Sequence, residues 1–322
     1  MKNLSRRFFI IIWILAALSP KVLAAKLLIP GGQVIGIRLE NDTVTVAAID
    51  EALGQNAKNA GLQPGDRILQ VDDTRICSPQ DVKDALAHSD GQVELSVLRS
   101  GKEKHLRLRP AITENGPKLG VLLKQGVTGI GTVTYYDPDT QNFAALGHSI
   151  NDPDGQPAAM ESGSVYPATV LSVKQGKSGK PGQLLGALRN YEPAGALSKN
   201  APQGIFGTAP ALCREQPLPT ATNSEIHTGS ATIRSTVAGE DTQEYSVEIT
   251  KIYAQSRPTG RNLLLKVTDP RLLETTGGIV QGMSGSPIIQ DGKLVGAVTH
   301  VLVNDPTTGY GIFIENMLNA AA

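Results

Sequence analysis

The chain has 322 residues, and its 30 Lys and Arg balance its 30 Asp and Glu. That neutrality argues against the strong field by which proteins hold nucleic acid or an anionic membrane surface. Apolar residues make up 40% but aromatics only 4%, with 34 glycines and 20 prolines; this fits about two turn-rich, mainly β domains whose cores are filled by aliphatic side chains.

At the N-terminus, Lys2, Arg6 and Arg7 precede an apolar run from Phe8 to Leu18, followed by Ser19-Pro20-Lys21-Val22-Leu23-Ala24-Ala25. This is the three-part pattern of a secretory signal, and the run is short for a bilayer-spanning helix. Residues 1–25 are therefore expected to be a signal peptide cleaved near Ala24 or Ala25, or alternatively an N-terminal membrane anchor. The two cysteines, Cys77 and Cys213, fall in different expected domains and are read as unpaired. No Cys/His cluster has metal-ligand spacing, so neither a metal nor another cofactor is expected.

Residues 26–112 read as one module. An extended run with a glycine loop, Leu27–Ile37, leads to Ala60-Gly61-Leu62-Gln63-Pro64-Gly65-Asp66-Arg67-Ile68-Leu69, a turn and then an alternating strand. Ser78 is placed to cap a helix with Pro79 at its first position and Asp81 in its first turn. That helix runs to about His88 with Val82, Ala85 and Leu86 on one face, and strands Val93–Arg99 and Lys104–Arg109 follow. The A-G-L-x-P-G-D-x-I-L run resembles that of PDZ domains. The resemblance implies a groove that takes an extended peptide as an added strand. Its carboxylate loop would be Val34-Ile35-Gly36-Ile37, with Val82 and Leu86 facing the side-chain pocket. The alternative is a groove used only for packing against the next domain.

From 116 to 322 the chain is β-rich. Expected strands are 119–123, 129–136, 143–146, 164–174, 228–237, 244–253, 262–268, 287–290 and 293–300, with a short helix over 315–322. Lys174–Gly182 reads as a mobile Lys/Gly/Ser loop and Ala201–Thr222 as a long irregular connection. This number of strands suits a chymotrypsin-like double β-barrel.

The run Gly282-Met283-Ser284-Gly285-Ser286-Pro287 carries the chemistry. Flanking glycines let a serine sit on a tight turn with its hydroxyl exposed. The N–H groups of Gly282 and Ser284 are then candidates for an oxyanion hole. A strand, an Asp291-Gly292 turn and a return strand to His300 follow, which resembles the nucleophile hairpin of chymotrypsin-like serine proteases. Of the five histidines, His148 is the candidate base, because Phe143–Leu146 is an apolar strand running into Gly147-His148. His300 is expected to line the cleft, while His88, His105 and His227 are expected at the surface. Asp269, ending the strand 263–268 and held by Pro270, is the candidate orienter of the imidazole, ahead of Asp152 and Asp154 in a polar loop.

Further stretches extend the pattern: Thr132–Pro138, Ala145–His148, Val267–Asp269, Thr276–Pro287, Ala297–Val301 and Asn304–Pro306. Together they resemble the SpoIVB (stage IV sporulation protein B) serine peptidase family over roughly residues 30 to 318. In that family the histidine, aspartate and serine of these motifs form the catalytic triad. The resemblance implies an exported enzyme in the space between forespore and mother-cell membranes. It would cleave itself near its N-terminus and then cut a membrane-bound regulatory complex, which starts activation of a late sigma factor. Its partners would be protein substrates at a membrane surface, its own N-terminal region and peptide tails held by the PDZ groove. The alternatives are a generic extracytoplasmic quality-control protease and a catalytically silent PDZ scaffold.

Overall fold

The computed structural model describes residues 25–152, 155–210, 215–253 and 260–322. The expected signal segment, Asp154 and Cys213 lie outside them. Among the described residues no helix is long and apolar enough to cross a membrane.

The first barrel begins before the PDZ-like module. Strand β1 (Leu27–Pro30) leads into β2 (Val34–Ile49), a run rich in β-branched residues. The chain then makes the PDZ unit: α1 (Gln55–Asn59), β3 (Arg67–Val71), β4 (Thr74–Arg75), α2 (Pro79–Ala87), β5 (Val93–Arg99), β6 (Lys102–Leu108) and a hairpin of β7 (Ala111–Thr113) and β8 (Gly116–Lys118). Helix α2 starts at a capping box: Ser78 Oγ accepts from Asp81 N–H at 3.2 Å, and the Asp81 carboxylate accepts from Ser78 N–H at 2.8 Å. Val82, Ala85 and Leu86 are buried against Val44, Ile68, Leu95 and Val97 in a core of the unit's own.

The chain returns to the barrel along β9 (Val121–Tyr136), followed by β10 (Asn142–Ala145), β11 (Ser162–Lys174), β12 (Gln183–Leu188), β13 (Gly195–Ala201), β14 (Gly204–Thr208) and β15 (Leu218–Pro219). Strands β9, β10, β14, β13 and β11 pair in that order, and β2 closes the ring by pairing with both β11 and β9. Ile35, Ile37, Leu39, Val133, Phe143, Val165 and Ile205 fill its interior.

The second barrel consists of β16 (Gly229–Thr236), β17 (Thr242–Ile252), β18 (Leu263–Val267), β19 (Pro287–Gln290), β20 (Lys293–Leu302) and β21 (Asp305–Phe313), with α3 (Pro270–Thr276) after β18 and α4 (Ile314–Ala321) at the end. It closes in the order β16-β17-β18-β21-β20-β19. The fold is thus mainly β: a PDZ domain and a chymotrypsin-like double barrel.

Three expectations change. The PDZ unit does not precede the peptidase domain over 26–112; it is inserted within the first barrel and shares the second half of β2 and the start of β9, because Val34–Leu39 complete that barrel. Strands expected at 119–123 and 129–136 are one strand, β9, which runs from the PDZ unit into the barrel. The segment expected as a mobile loop is tied down: Gly176 N–H donates to the Thr276 carbonyl at 2.8 Å, Gly179 N–H to Val303 at 2.9 Å and Ser178 Oγ to Asn304 at 2.9 Å.

Candidate active site

The seam between the barrels brings three stretches together: Leu146–His148 after β10, Gly282–Gly285 before β19, and Thr299–His300 on β20. Backbones touch here. A Cβ on Gly285 would land on the Thr132 carbonyl and the Leu146 amide, so that position requires glycine. A Cβ on Gly147 would press on Thr299.

Ser284 Oγ donates to the Thr299 carbonyl at 2.7 Å. His148 Nδ1 lies 2.8 Å from the Ser149 carbonyl, so Nδ1 carries the proton and Nε2 presents the lone pair. Burial pushes the imidazole's pKa down, and the Ser149 contact opposes this only in part. The rings of His148 and His300 have centroids 5.0 Å apart. Burial, followed by the nearby His148 and Arg261, lowers His300 to about 4, and its buried Nδ1 has no hydrogen-bond partner among the described residues.

The turn before β19 leaves two N–H groups open. Gln281 O accepts from Leu184 N–H at 2.8 Å, Met283 N–H donates to Val280 O at 3.1 Å, Gly285 N–H to Val298 O at 2.8 Å and Ser286 N–H to Met283 O at 3.0 Å. The N–H groups of Gly282 and Ser284 have no such partner among the described residues. They are the pair expected to face an oxyanion.

Asp269 is not brought to His148. It sits past the end of β18 as the N-cap of α3, accepting from the N–H groups of Arg271 at 2.9 Å and Leu272 at 3.4 Å, and from Ser246 N–H at 3.2 Å. The Arg271 guanidinium, 2.8 Å away, is the main cause that holds its pKa down at about 2. The opposite end of β18 abuts the histidine turn: Gly260 accepts from Thr299 Oγ1 at 3.4 Å. A five-residue strand spans roughly 16 Å, which removes Asp269 from reach of the imidazole. The acceptor at His148 Nδ1 is instead the Ser149 carbonyl, which no side-chain motif signals.

Val34–Ile37, expected as the PDZ carboxylate loop, lie in the first barrel with both edges paired, to β9 and to β11, so no edge remains for a peptide. The groove of the PDZ unit lies elsewhere, as a cavity of about 710 Å³ between α2 and the start of β9, lined by Val82, Lys83, Leu86, Leu119, Val121 and Leu123. Residues 121–123 pair with β2 along one edge, and their other edge borders this groove. Val82 and Leu86 are among its lining residues. Beside this cavity the chain carries a further apolar-Gly-apolar run, Leu119-Gly120-Val121.

The family model described as SpoIVB peptidase S55 matches residues 115–318, more than half of the chain. The chain belongs to the SpoIVB peptidase S55 family. A PDZ-domain model also matches, over residues 50–99 of this S55 member. Among curated proteins, a zinc metalloprotease, so described by name, from Agrobacterium fabrum is 27% identical over 145 residues, which are 44% of this chain and 37% of that protein. A mitochondrial serine protease HTRA2 of Drosophila persimilis is 36% identical over 58 residues, 18% of this chain and 14% of that protein. The S55 chain thus spans well under half the length of either relative. Among solved structures, the Rv3671c protease of M. tuberculosis in its inactive form aligns over 59% of this chain and 81% of its own, at 15% identity and a TM-score of 0.36. Its active form aligns over 60% and 72%, at 18% identity and a TM-score of 0.35.

The other histidines of this S55 member lie away from the seam. His227 Nε2 meets Asp291 at 2.8 Å on the surface, and His105 is exposed beside Glu94. Among the described residues no group of three or more His, Cys, Asp or Glu is placed to hold a metal.

Proposed function

We propose that the protein is an exported serine endopeptidase with Ser284 as nucleophile and His148 as general base. The observation that carries this reading is the seam itself: a glycine-framed serine, a histidine turn packed against it, and two unpartnered N–H groups beside the serine.

In the reaction, the Ser284 hydroxyl leaves the Thr299 carbonyl by rotating about χ1 and turns to His148 Nε2. Ser284 Oγ attacks the peptide carbonyl while Nε2 takes its proton. The developing oxyanion is received by the N–H groups of Gly282 and Ser284. The Ser149 carbonyl holds Nδ1–H, fixing the tautomer and favouring the imidazolium that forms. His148 then protonates the leaving amine, and water completes the cycle by the same route. A lowered imidazole pKa keeps the base neutral at pH 7.

The PDZ unit is proposed to capture an extended peptide tail. The tail would add to the edge of β9 at Val121–Leu123, with its carboxylate at the Leu119-Gly120 turn and its side chains against α2. Family membership supports the wider reading: self-cleavage near the N-terminus, then cleavage of a membrane-bound regulatory complex that starts late sigma-factor activation in sporulation.

The test is to express residues 26–322, label them with a fluorophosphonate and sequence any new N-termini. Labelling at Ser284, together with self-cleavage that is lost in Ser284→Ala, supports the reading. Labelling retained in that variant moves the nucleophile elsewhere, with Ser286 next in line.

A further inference from the structure

Between Gln281 and Gly285 four peptide planes alternate in role. The planes 281–282 and 283–284 present the free N–H groups of Gly282 and Ser284. The planes between and after them, 282–283 and 284–285, are each fixed at both ends. Met283 N–H donates to Val280 O at 3.1 Å and Gly285 N–H to Val298 O at 2.8 Å. The opposite ends of both planes are held by one residue of the other barrel. Thr132 Oγ1 donates to the Gly282 carbonyl at 2.7 Å, and Thr132 N–H donates to the Ser284 carbonyl at 3.0 Å. The Thr132 carbonyl in turn accepts from Leu146 N–H at 3.2 Å, two residues before His148. Thr132 is fully buried on β9.

We infer that Thr132 is the positioning residue of the oxyanion hole: its hydroxyl sets the 282–283 plane and so aims the two N–H groups on either side of it. Gly282, at φ 99°, has no side chain to restrict its backbone, and within the turn only the Met283 N–H bond to Val280 holds this plane, so the Thr132 hydroxyl supplies the second point of fixation at its carbonyl end. An uncompensated tilt of this plane about either Cα would carry the adjoining planes, and with them the Gly282 and Ser284 N–H groups, off the oxyanion, and transition-state stabilisation depends on donors already aimed. Through its carbonyl, the same residue sets the distance between the nucleophile turn and the histidine turn. This inference rests on the proposed serine-peptidase reading.

The test uses the full chain and three variants: Thr132→Ser, which keeps the hydroxyl, and Thr132→Val and Thr132→Ala, which remove it. Active sites are titrated with a fluorophosphonate, and kcat per titrated site and KM are measured on a short reporter ester. A wild-type chain that neither labels nor turns over would fail the underlying reading, separately from this inference. With a competent wild type, Thr132→Val should lose roughly 10²-fold in kcat with KM nearly unchanged, the scale of losing one oxyanion donor. Affinity for a peptide aldehyde should fall in parallel, while Thr132→Ser should stay within a few-fold of wild type. If Val does not accumulate folded, Ala carries the same expectation. A kcat per titrated site unchanged without the hydroxyl, or an equal loss in the serine variant, overturns the assignment.

Discussion

Ser284 rests with its hydroxyl on the carbonyl of Thr299, 2.7 Å away and fifteen residues on in the chain. The contact joins the nucleophile turn to the strand beside His300, and the seam is arranged around it.

Replacing Ser284 by alanine is expected to remove peptidase activity by several orders of magnitude, on the order of 10⁶ where a triad serine has been removed. The fold should persist, because the Oγ contact to Thr299 is a single hydrogen bond at a half-buried site. Hydrolysis of a peptide reporter and thermal unfolding, measured on one preparation, check this. An alanine variant that still turns over would exclude Ser284 as nucleophile.

Asp269 gives a sharper discrimination. As the cap of α3 and the partner of Arg271, its truncation to alanine should cost about 1 kcal/mol of stability, whereas asparagine keeps a capping oxygen and loses only the charge pairing with Arg271. Asp269→Asn should therefore lower the midpoint of unfolding only slightly and leave kcat per titrated site within about tenfold of wild type. An orienting aspartate would instead cost about 10⁴ in kcat. A loss of that size in the fully folded variant would return Asp269 to the catalytic machinery. Its pKa is depressed to about 2, so the stability it supplies is complete above its unfolded value near 3.9 and is lost as pH falls towards 2.

The histidine pair sets the acid side. Because burial lowers the His148 pKa, the limb of kcat/KM reporting the free base should fall below the ordinary histidine value of about 6.5. His300, at about 4, takes up its proton later than an unfolded histidine does, so stability should decline as pH drops from about 6.5 to 4. Unfolding midpoints of His300→Gln should decline less over that window than those of wild type. Parallel curves for the two proteins would count against the buried, neutral His300.

Val34–Ile37 and Leu119–Leu123 can be told apart as peptide sites by substitution. Leu122 is 59% exposed on the β9 segment bordering the groove, so Leu122→Glu should leave the fold and a short reporter's turnover unchanged. It should weaken capture of a peptide tail several-fold, read by fluorescence anisotropy. At Gly36, which alternates with the inward-facing Ile35 and Ile37, a Cβ would point out of the first barrel and meet only the Cδ2 tip of Leu188, an exposed and movable side chain on β12. Gly36→Val should therefore leave stability, reporter turnover and peptide capture close to wild type. Normal stability in that variant with peptide capture lost would restore Val34–Ile37 to the groove.

What the sequence determined was local. Apolar alternation, turn glycines and prolines marked most strands of the second barrel, and Ser78-Pro79-Asp81 marked helix α2 with its capping box, because these signals act over a few residues. The motifs around Ser284 and His148 were equally legible, since a glycine-framed turn writes its requirement into adjacent positions. Strands β12, β13, β14 and β21 were missed: their glycines and scattered polar residues read as loop until neighbouring strands supply the hydrogen bonds. Tertiary structure alone decided the pairings across long separations. It placed Val34–Leu39 between β9 and β11, which moved the PDZ unit from the front of the chain into the first barrel. It set Asp269 at the far end of β18 from His148, leaving the carboxylate to its local partner Arg271, and it made Thr132, whose hydroxyl no local pattern singles out, the point where the first barrel holds the turn around Ser284. Hydrogen bonds joining residues more than a hundred positions apart leave no periodicity to read, because their partners are chosen by how the two barrels close and pack.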